Sequence, residues 1–193
     1  MAFNVSSFQS TLTGGGARPS LFSFEITGNP AGSTSGGLAD LNMLCSVSAL
    51  PGLSVTPIER HYYGRVTKIP GDMVFADLTT TILNDEDFVV RTQIEMWMAS
   101  MNTHEGNRRT FSAGMGKEGG TGTLMQYGKT SEVDSSSGAV KKAGKLAQIV
   151  FTDCFPTTLG EITLSFDSVS EIEQFDVTWA YQYYTMTLPA EAT

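Results

Sequence analysis

The chain has 193 residues, of which 40% are hydrophobic and 17% charged, and its 20 acidic and 12 basic residues leave a net charge of −8. This length fits one domain spanning residues 1–193, and the low charge with abundant glycine, serine and threonine predicts a mostly β fold. The acidic balance argues against a nucleic-acid-binding protein with a basic surface. No apolar run is long enough to cross a bilayer and no secretory leader is recognisable, so we expect no membrane anchor and folding in a cytoplasm.

The first half of the chain predicts a flexible arm followed by short strands. Residues 1–16 are rich in glycine, serine and threonine, which is typical of a flexible arm. Three segments have the composition of strands: residues 21–27, 43–49 and 73–83. Before the third of these, residues 55–72 (VTPIERHYYGRVTKIPGD) are bounded by proline and glycine, so we expect a hairpin or loop that projects from the domain.

This projecting segment carries a cluster of aromatic and basic residues: Arg60, Tyr62, Tyr63 and Arg65. Such side chains could stack on single-stranded nucleic acid. They could also bind a protein, because tyrosine and arginine are enriched at protein interfaces. The overall acidity of the chain favours the protein interface.

One helix is predicted from about Glu86 to Met101, with Asn84 or Asp85 capping its first turn. Apolar residues recur in it at helical spacing: Val90, Ile94, Trp97 and Met101. The stripe predicts that this helix packs on the sheet and that Trp97 belongs to the core.

The second half of the chain predicts a loop region and then closely spaced strands. Residues 114–139 form a loop region, and its glycine-rich and serine-rich parts flank a short strand-like stretch at residues 123–128. Strands are then predicted at residues 145–155, 161–168 and 174–187, and the first two of these are joined by the turn-forming sequence PTTLG. Residues 188–193 form a C-terminal tail.

The last predicted strand, QFDVTWAYQYYTMT, alternates large apolar and polar side chains. Because strand side chains point alternately to opposite faces, one face is expected to pack in the core: Phe175, Val177, Trp179, Tyr181 and Tyr183. The opposite face is expected to meet water: Asp176, Thr178, Ala180, Gln182 and Tyr184.

Groups with chemical reactivity are sparse. The two histidines, His61 and His104, lack metal-binding spacing, and GMGKEGGTG lacks the serine or threonine that a phosphate-binding loop requires after its lysine. Cys45 and Cys154 lie in apolar stretches, so we expect buried thiols rather than a disulfide. No catalytic, cofactor-binding or metal-binding residue is predicted. A small hydrolase is therefore disfavoured, and a carbohydrate-binding or receptor-binding β module would expose aromatic residues in loops rather than along a regular strand.

Five stretches stand out together: ARPSLFSFEI (residues 17–26), LCSVSALPG (44–52), YYGR with KIPGD, LNDEDFVVRTQIEMW (83–97) and FPTTLGEITLSFDSVSEIEQFDVTWAYQYY (155–184). In this order, over nearly the whole chain, they resemble the tail tube proteins of contractile-tailed bacteriophages of the T-even type. The resemblance implies a β-sandwich or barrel-like subunit with one flanking helix, which forms hexameric rings whose joint β-barrel lines a channel. A tube of a related bacterial contractile injection or secretion system is the alternative.

The resemblance also implies partners and roles. Stacked rings would form the inner tube of a virion tail, assembled in the host cytoplasm, with sheath, baseplate, tail terminator and tape measure proteins as partners. Genomic DNA would pass through the channel without specific binding. Arg60, Tyr62, Tyr63 and Arg65 would then join successive rings. The expected channel-facing residues are Thr163, Ser165, Asp167, Asp176, Thr178 and Gln182. No base follows Lys145, which predicts a channel wall that is acidic or neutral.

Overall fold

A computed structural model describes residues 5–12, 16–28, 38, 40–106, 119–129, 144–168 and 170–188. The helices of these residues are α1 (Val5–Thr11), α2 (Leu41–Leu44) and α3 (Val89–Met101). The strands are β1 (Phe22–Thr27), β2 (Cys45–Ser48), β3 (Leu53–Tyr62), β4 (Arg65–Phe75), β5 (Leu78–Leu83), β6 (Gly120–Tyr127), β7 (Lys145–Leu159), β8 (Gln174–Ala180) and β9 (Tyr183–Thr187). The mostly β prediction is confirmed.

The strands form two sheets, and β7 takes part in both halves of the larger one. The larger sheet has the order β1-β6-β7-β8-β5-β2, with β9 also paired to β7, and the smaller contains β3 and β4 alone. The first part of β7 pairs with β6 and β9, whereas its end from Phe155 to Leu159 pairs with β8. Asp153, just before this change of partner, has a φ of 54°. The strand therefore changes partner next to a left-handed residue, and its two halves serve opposite layers of the core.

The core lies between the two halves of the larger sheet and under α3. Phe24 of β1, Phe151 of β7 and Trp179 of β8 are fully buried in it, and the ring centroids of Phe24 and Trp179 are 6.1 Å apart. Trp97 and Val177 are also fully buried, and Phe175 is nearly so. Tyr181 is half-buried against this cluster. Burial of this many large side chains is the main stabilising contribution to the fold.

One polar side chain is fully enclosed in the core. Thr80 of β5 accepts a hydrogen bond from the indole Nε1 of Trp179 at 2.9 Å, and its own hydroxyl donates to the carbonyl oxygen of Val177 at 3.5 Å. A buried polar group is tolerated when it is paired in this way.

The long helix α3 begins later than predicted. Its first residue is Val89, and Phe88 before it is left-handed with a φ of 52° and gives no side-chain cap. Asn84 instead donates its amide to Glu173 at 2.9 Å, and the Asp85 carboxylate accepts the Glu86 backbone N–H at 2.8 Å in a separate turn. The predicted cap is therefore wrong. The predicted stripe packs inward, with Val90 and Ile94 buried alongside Trp97.

Three strand predictions and one turn prediction also need correction. Residues 161–168 form a loop, and residues 174–187 form two strands separated at Tyr181 and Gln182. The sequence PTTLG is no turn, because β7 runs on through Pro156 to Leu159. The segment 73–83 is interrupted at Ala76 and Asp77, so its first part belongs to the small sheet and its second to the large one. In each case tertiary pairing outweighed local composition.

The interruption at Tyr181 reverses the expected alternation. Tyr183, expected in the core, is exposed, whereas Tyr184 of the expected wet face packs against Phe151 with ring centroids 6.1 Å apart.

The predictions for the N-terminal arm, the loop region and the C-terminal tail have separate outcomes. Residues 5–11, expected within a flexible arm, form α1. Within the predicted loop region, β6 begins at Gly120, earlier than the expected strand. The remainder of that region, residues 114–118 and 130–139, lies outside the described residues, as do residues 189–193 of the tail.

Both cysteines are free and buried. Burial raises the pKa of the Cys45 thiol to about 11, partly offset by a backbone hydrogen bond at Val47, and raises the pKa of Cys154 to about 12. The thiols therefore stay protonated at neutral pH, where a thiolate nucleophile would be needed for reactivity.

Candidate assembly surfaces

The hairpin formed by β3 and β4 projects from the domain with almost no cover. All ten residues of β3 are exposed, and β4 is exposed except at Gly71 and Phe75, which are half-buried. Its exposed apolar side chains are Leu53, Val55, Ile58, Val66, Ile69, Met73 and Val74. An exposed apolar ribbon of this length is typical of a surface that binds another protein.

A tight turn forms the tip of the hairpin. Tyr62 pairs with Arg65, which leaves Tyr63 and Gly64 as the two turn residues, with φ of 44° and 80°. Positive φ at both positions matches the twist of the flanking strands, and a non-glycine residue adopts it only at some cost. Tyr63 is 92% exposed, and its ring lies edge-on to Tyr62 with centroids 4.7 Å apart. The turn therefore presents two aromatic rings to the surroundings.

The hairpin register decides which of the predicted contact residues share a face. Arg60 pairs with Thr67 and Tyr62 with Arg65, so Arg60, Tyr62 and Arg65 lie on one face of the ribbon, with Tyr63 at its tip. On the opposite face, Glu59 and Lys68 form an exposed ion pair of 3.7 Å. The four predicted residues are therefore brought together at the distal end of the hairpin.

Aromatic residues hold the base of the hairpin against the domain. The ring of Phe75 contacts those of Tyr181 and Tyr184, with centroid distances of 6.2 and 5.4 Å. The hydroxyl of Tyr181 donates a 2.6 Å hydrogen bond to the carbonyl oxygen of Ala76, and its ring lies 4.9 Å from that of Phe151. Tyr181 thus connects the core to the point where the hairpin leaves the domain, and its pKa is raised to about 12 chiefly by desolvation. Sequence reasoning assigned it to the core alone.

A polar face covers the outside of the β7-β8-β5-β2 half of the large sheet. Cross-strand pairing aligns the side chains of this face in two rows: Val47, Thr81 and Asp176 in one, and Thr79, Thr178 and Thr158 in the other. The hydroxyl of Thr81 donates to the Asp176 carboxylate at 2.6 Å. Asp176 is the one charged member of these two rows.

The structure separates the predicted channel-facing residues. Asp176 and Thr178 lie on the polar face, but Thr163, Ser165 and Asp167 lie in the loop after β7. Gln182 lies beyond the end of β8, where its backbone N–H donates to the Thr152 carbonyl at 3.0 Å. Sequence reasoning missed Thr79 and Thr81, because the run Thr79-Thr80-Thr81 has no alternation that would distinguish the buried threonine from its exposed neighbours.

A groove lies along the loop between β7 and β8, called here the β7–β8 loop (residues 161–168 and 170–173). The loop and the start of β8 border an open groove of about 600 Å³. Its lining combines the apolar residues Ile162, Leu164, Phe166 and Ile172 with polar ones, among them Glu161, Glu171 and Glu173. Leu164, Phe166 and Ile172 are exposed there, while Ile162 packs on the core. Sequence reasoning missed this groove because the alternation Ile162, Leu164, Phe166 indicated a strand.

The described part of the chain offers assembly surfaces rather than reactive chemistry. None of its His, Cys, Asp and Glu side chains form a group of three or more that could hold a metal ion. Among the described helices, none has the length and apolar character that crossing a membrane requires. A sandwich with an uncovered apolar hairpin, a polar sheet face and a groove with exposed apolar side chains is the arrangement of a structural subunit that binds other chains.

Comparison with known proteins agrees with this class. The chain belongs to the phage tail tube protein family, whose sequence pattern it matches over residues 17–187. It is 30% identical over 168 residues to the tail tube protein gp19 of Enterobacteria phage T4, covering 87% of this chain and 90% of that protein. As a tail tube protein it is a structural component of the virion and not an enzyme.

Solved structures share the fold at low sequence identity. The chain aligns with a TM-score of 0.60 and 14% identity to a chain of the sheath-tube complex of the extracellular contractile injection system PVC in its extended state, covering 97% of this chain and 99% of that one. It aligns with the same TM-score and identity to a chain of the tube-terminating cap of the anti-feeding prophage, covering 89% and 91%.

Proposed function

We propose that this chain forms hexameric rings that stack into the inner tube of a contractile phage tail, through which the genome passes into the host. The observation that carries this proposal is the β3–β4 hairpin. It is exposed along nearly its whole length, although seven of its apolar side chains would gain stability from burial. In a tail tube subunit, binding of the hairpin to the next ring would bury these side chains.

The charge of the hairpin, which is slightly basic in an acidic chain, supports stacking through this element. Residues 53–75 contain three basic and two acidic residues in a chain whose net charge is −8. Rings repeat each contact, and anchors of tyrosine or arginine commonly contribute about 2 kcal/mol or more each at an interface. A modest contact per subunit therefore adds up to strong ring-to-ring binding.

The polar face is the proposed wall of the channel. Its two rows are hydroxyl-rich and carry a single negative charge at Asp176, so they offer no cation to bind phosphate. A basic wall would hold DNA by releasing counterions, and many such contacts along a tube would slow its passage. Repulsion from Asp176 reaches only about 8 Å at physiological salt, so it keeps DNA off the wall without driving it out.

The partners follow from the same proposal. The outside of the tube contacts the sheath, its ends contact baseplate and tail terminator proteins, and its channel holds the tape measure protein before DNA. The tube of a contractile injection system is the alternative, supported by the shared fold with the injection-system tube complex. The higher identity to a phage tail tube protein favours the phage tail.

Electron microscopy of the purified chain and of a hairpin variant tests the proposal. We expect hollow tubes or six-fold rings from the wild type. Changing Tyr63 and Arg65 together to Ala should leave folded subunits that no longer form tubes, because both side chains are exposed and contribute no core contact. The matched control changes His61 and Val66 to Ala on the opposite face of the hairpin, and we expect it to retain more assembly. Tubes of normal length from the first variant would contradict the assignment of the hairpin tip.

A further inference from the structure

Besides the β3–β4 hairpin, two apolar surfaces of the described chain have no partner within it. The first is a stripe on α1, where Val5, Phe8 and Leu12, just after the helix, recur at helical spacing and are 69%, 66% and 42% exposed. No other described element packs extensively against α1. The second is the groove of the β7–β8 loop with its exposed Leu164, Phe166 and Ile172.

An isolated helix as short as α1 is not stable in water. Nucleation costs more than seven residues can recover, so such a helix persists only when an apolar face is packed against something. The stripe of α1 therefore requires a partner that offers apolar surface in a concave site.

The groove has the size and lining for such a stripe. Its volume of about 600 Å³ exceeds that of three aliphatic or aromatic side chains, and its walls contain the exposed apolar residues of the loop. Leu164 and Phe166 have the spacing of strand residues, but no described strand pairs with them. The loop thus exposes apolar side chains that the described part of the subunit does not cover.

Charge distinguishes the occupant. Glu161, Glu171 and Glu173 line the groove, and no basic residue lines it. Residues 1–21 contain no acidic residue, and their one charged side chain, Arg18, lies between α1 and β1, so the N-terminal segment brings no charge that the glutamates would repel. The hairpin is a poorer match, because it carries acidic Glu59 and Asp72 among its bases.

Chain length allows α1 to reach another subunit. Residues 12–17 separate α1 from the turn before β1, in which the Leu21 N–H donates to the Arg18 carbonyl, and six residues span at most about 20–22 Å when extended. That distance exceeds the radius of gyration of a domain of this size, which is on the order of 16 Å.

We propose that α1 of one subunit docks its Val5, Phe8 and Leu12 stripe into the β7–β8 loop groove of a second copy of this chain. The inference rests on the proposed self-assembly and adds a second contact to it, distinct from the hairpin. Each subunit then binds its neighbour through α1, a short helix outside the β-sandwich.

Cross-linking of two single-cysteine-addition variants tests this docking directly. Phe8→Cys and Phe166→Cys proteins are mixed and treated with a short bis-maleimide, while the native Cys45 and Cys154 are buried and do not compete. We expect a cross-linked heterodimer on denaturing gels. The matched control replaces Phe8→Cys by Ser10→Cys, which lies on the opposite face of α1, and should give a several-fold lower yield.

A chain carrying both Phe8→Cys and Phe166→Cys distinguishes docking between copies from docking within one chain. A ladder of oligomers supports the inference. A cross-link confined to the monomer, or no cross-link in either experiment, overturns it. These results are read on any mixture of subunits and so do not depend on whether tubes form.

The assembly assay separates this inference from the proposed function. Phe8→Ser should raise the concentration needed for tube formation about tenfold or more, because it removes one buried phenyl ring per contact. Met43→Ser, at an exposed methionine of α2, is the matched control and should have little effect. Wild-type tubes with unchanged assembly of Phe8→Ser would refute the docking and leave the proposed function standing, whereas a failure of the wild type to form rings or tubes would refute the proposed function.

Discussion

Replacing Trp97 by Ala tests whether α3 belongs to the core of the subunit or to an interface. Trp97 is fully buried under α3, with its ring centroid 5.9 Å from that of Trp179. A Cβ added at Gly120 would lie 3.3 Å from the Trp97 ring, so the ring also fills the space that this glycine leaves.

The size of the effect follows from the buried area. A tryptophan buries about 200 Å², which at about 25 cal/mol/Å² corresponds to about 5 kcal/mol. Alanine retains part of this, and measured losses for large aromatic residues are about 3–5 kcal/mol. With a urea slope of about 2–3 kcal/mol/M for a chain of this length, the unfolding midpoint should fall by about 1–2.5 M.

The assay is urea unfolding followed by circular dichroism at two protein concentrations, so that a contribution from assembly is recognised by its concentration dependence. Met96→Ala on the same helix is the matched control, because Met96 is 56% exposed, and it should change the midpoint little. A Trp97→Ala subunit with wild-type stability that merely fails to assemble would refute the core assignment.

Three further predictions concern other buried groups and the proposed channel wall. Thr80→Val should destabilise the fold by about 1–3 kcal/mol, because the Trp179 N–H loses its acceptor. Combining it with Trp179→Phe should cost less free energy of unfolding than the sum of the two single changes. A purely additive double-mutant cycle would contradict the hydrogen bond. Cys45 and Cys154 should resist maleimide labelling until the protein unfolds, and labelling of the native subunit at neutral pH would count against this. Their contribution to stability should be constant below pH 9 and fall above it, because only the unfolded thiols ionise there. Asp176→Lys should permit assembly but slow genome passage in a salt-sensitive way, unlike Asp176→Asn; equal ejection by both would refute a role for wall charge.

Local sequence patterns predicted the elements whose environment is set by their own residues. The proline and glycine boundaries around residues 55–72 predicted a projecting hairpin, and Tyr63-Gly64 supplies its turn. The alternation from Phe175 to Trp179 predicted which face of β8 is buried. Helical spacing identified the buried stripe of α3, including Trp97. In each case the pattern reports burial of one face, which a short window of sequence contains.

Tertiary structure decided the elements whose state depends on a distant partner. Residues 161–168 alternate like a strand, yet they remain a loop because no described strand offers them hydrogen bonds. Pro156 lies inside β7, where the pairing with β8 shifts register and tolerates it. Asp85 bonds locally and Asn84 bonds to Glu173, so neither caps α3. Sheet pairing and side-chain hydrogen bonds join residues that are far apart along the chain, and their competition is settled only when the whole core has formed.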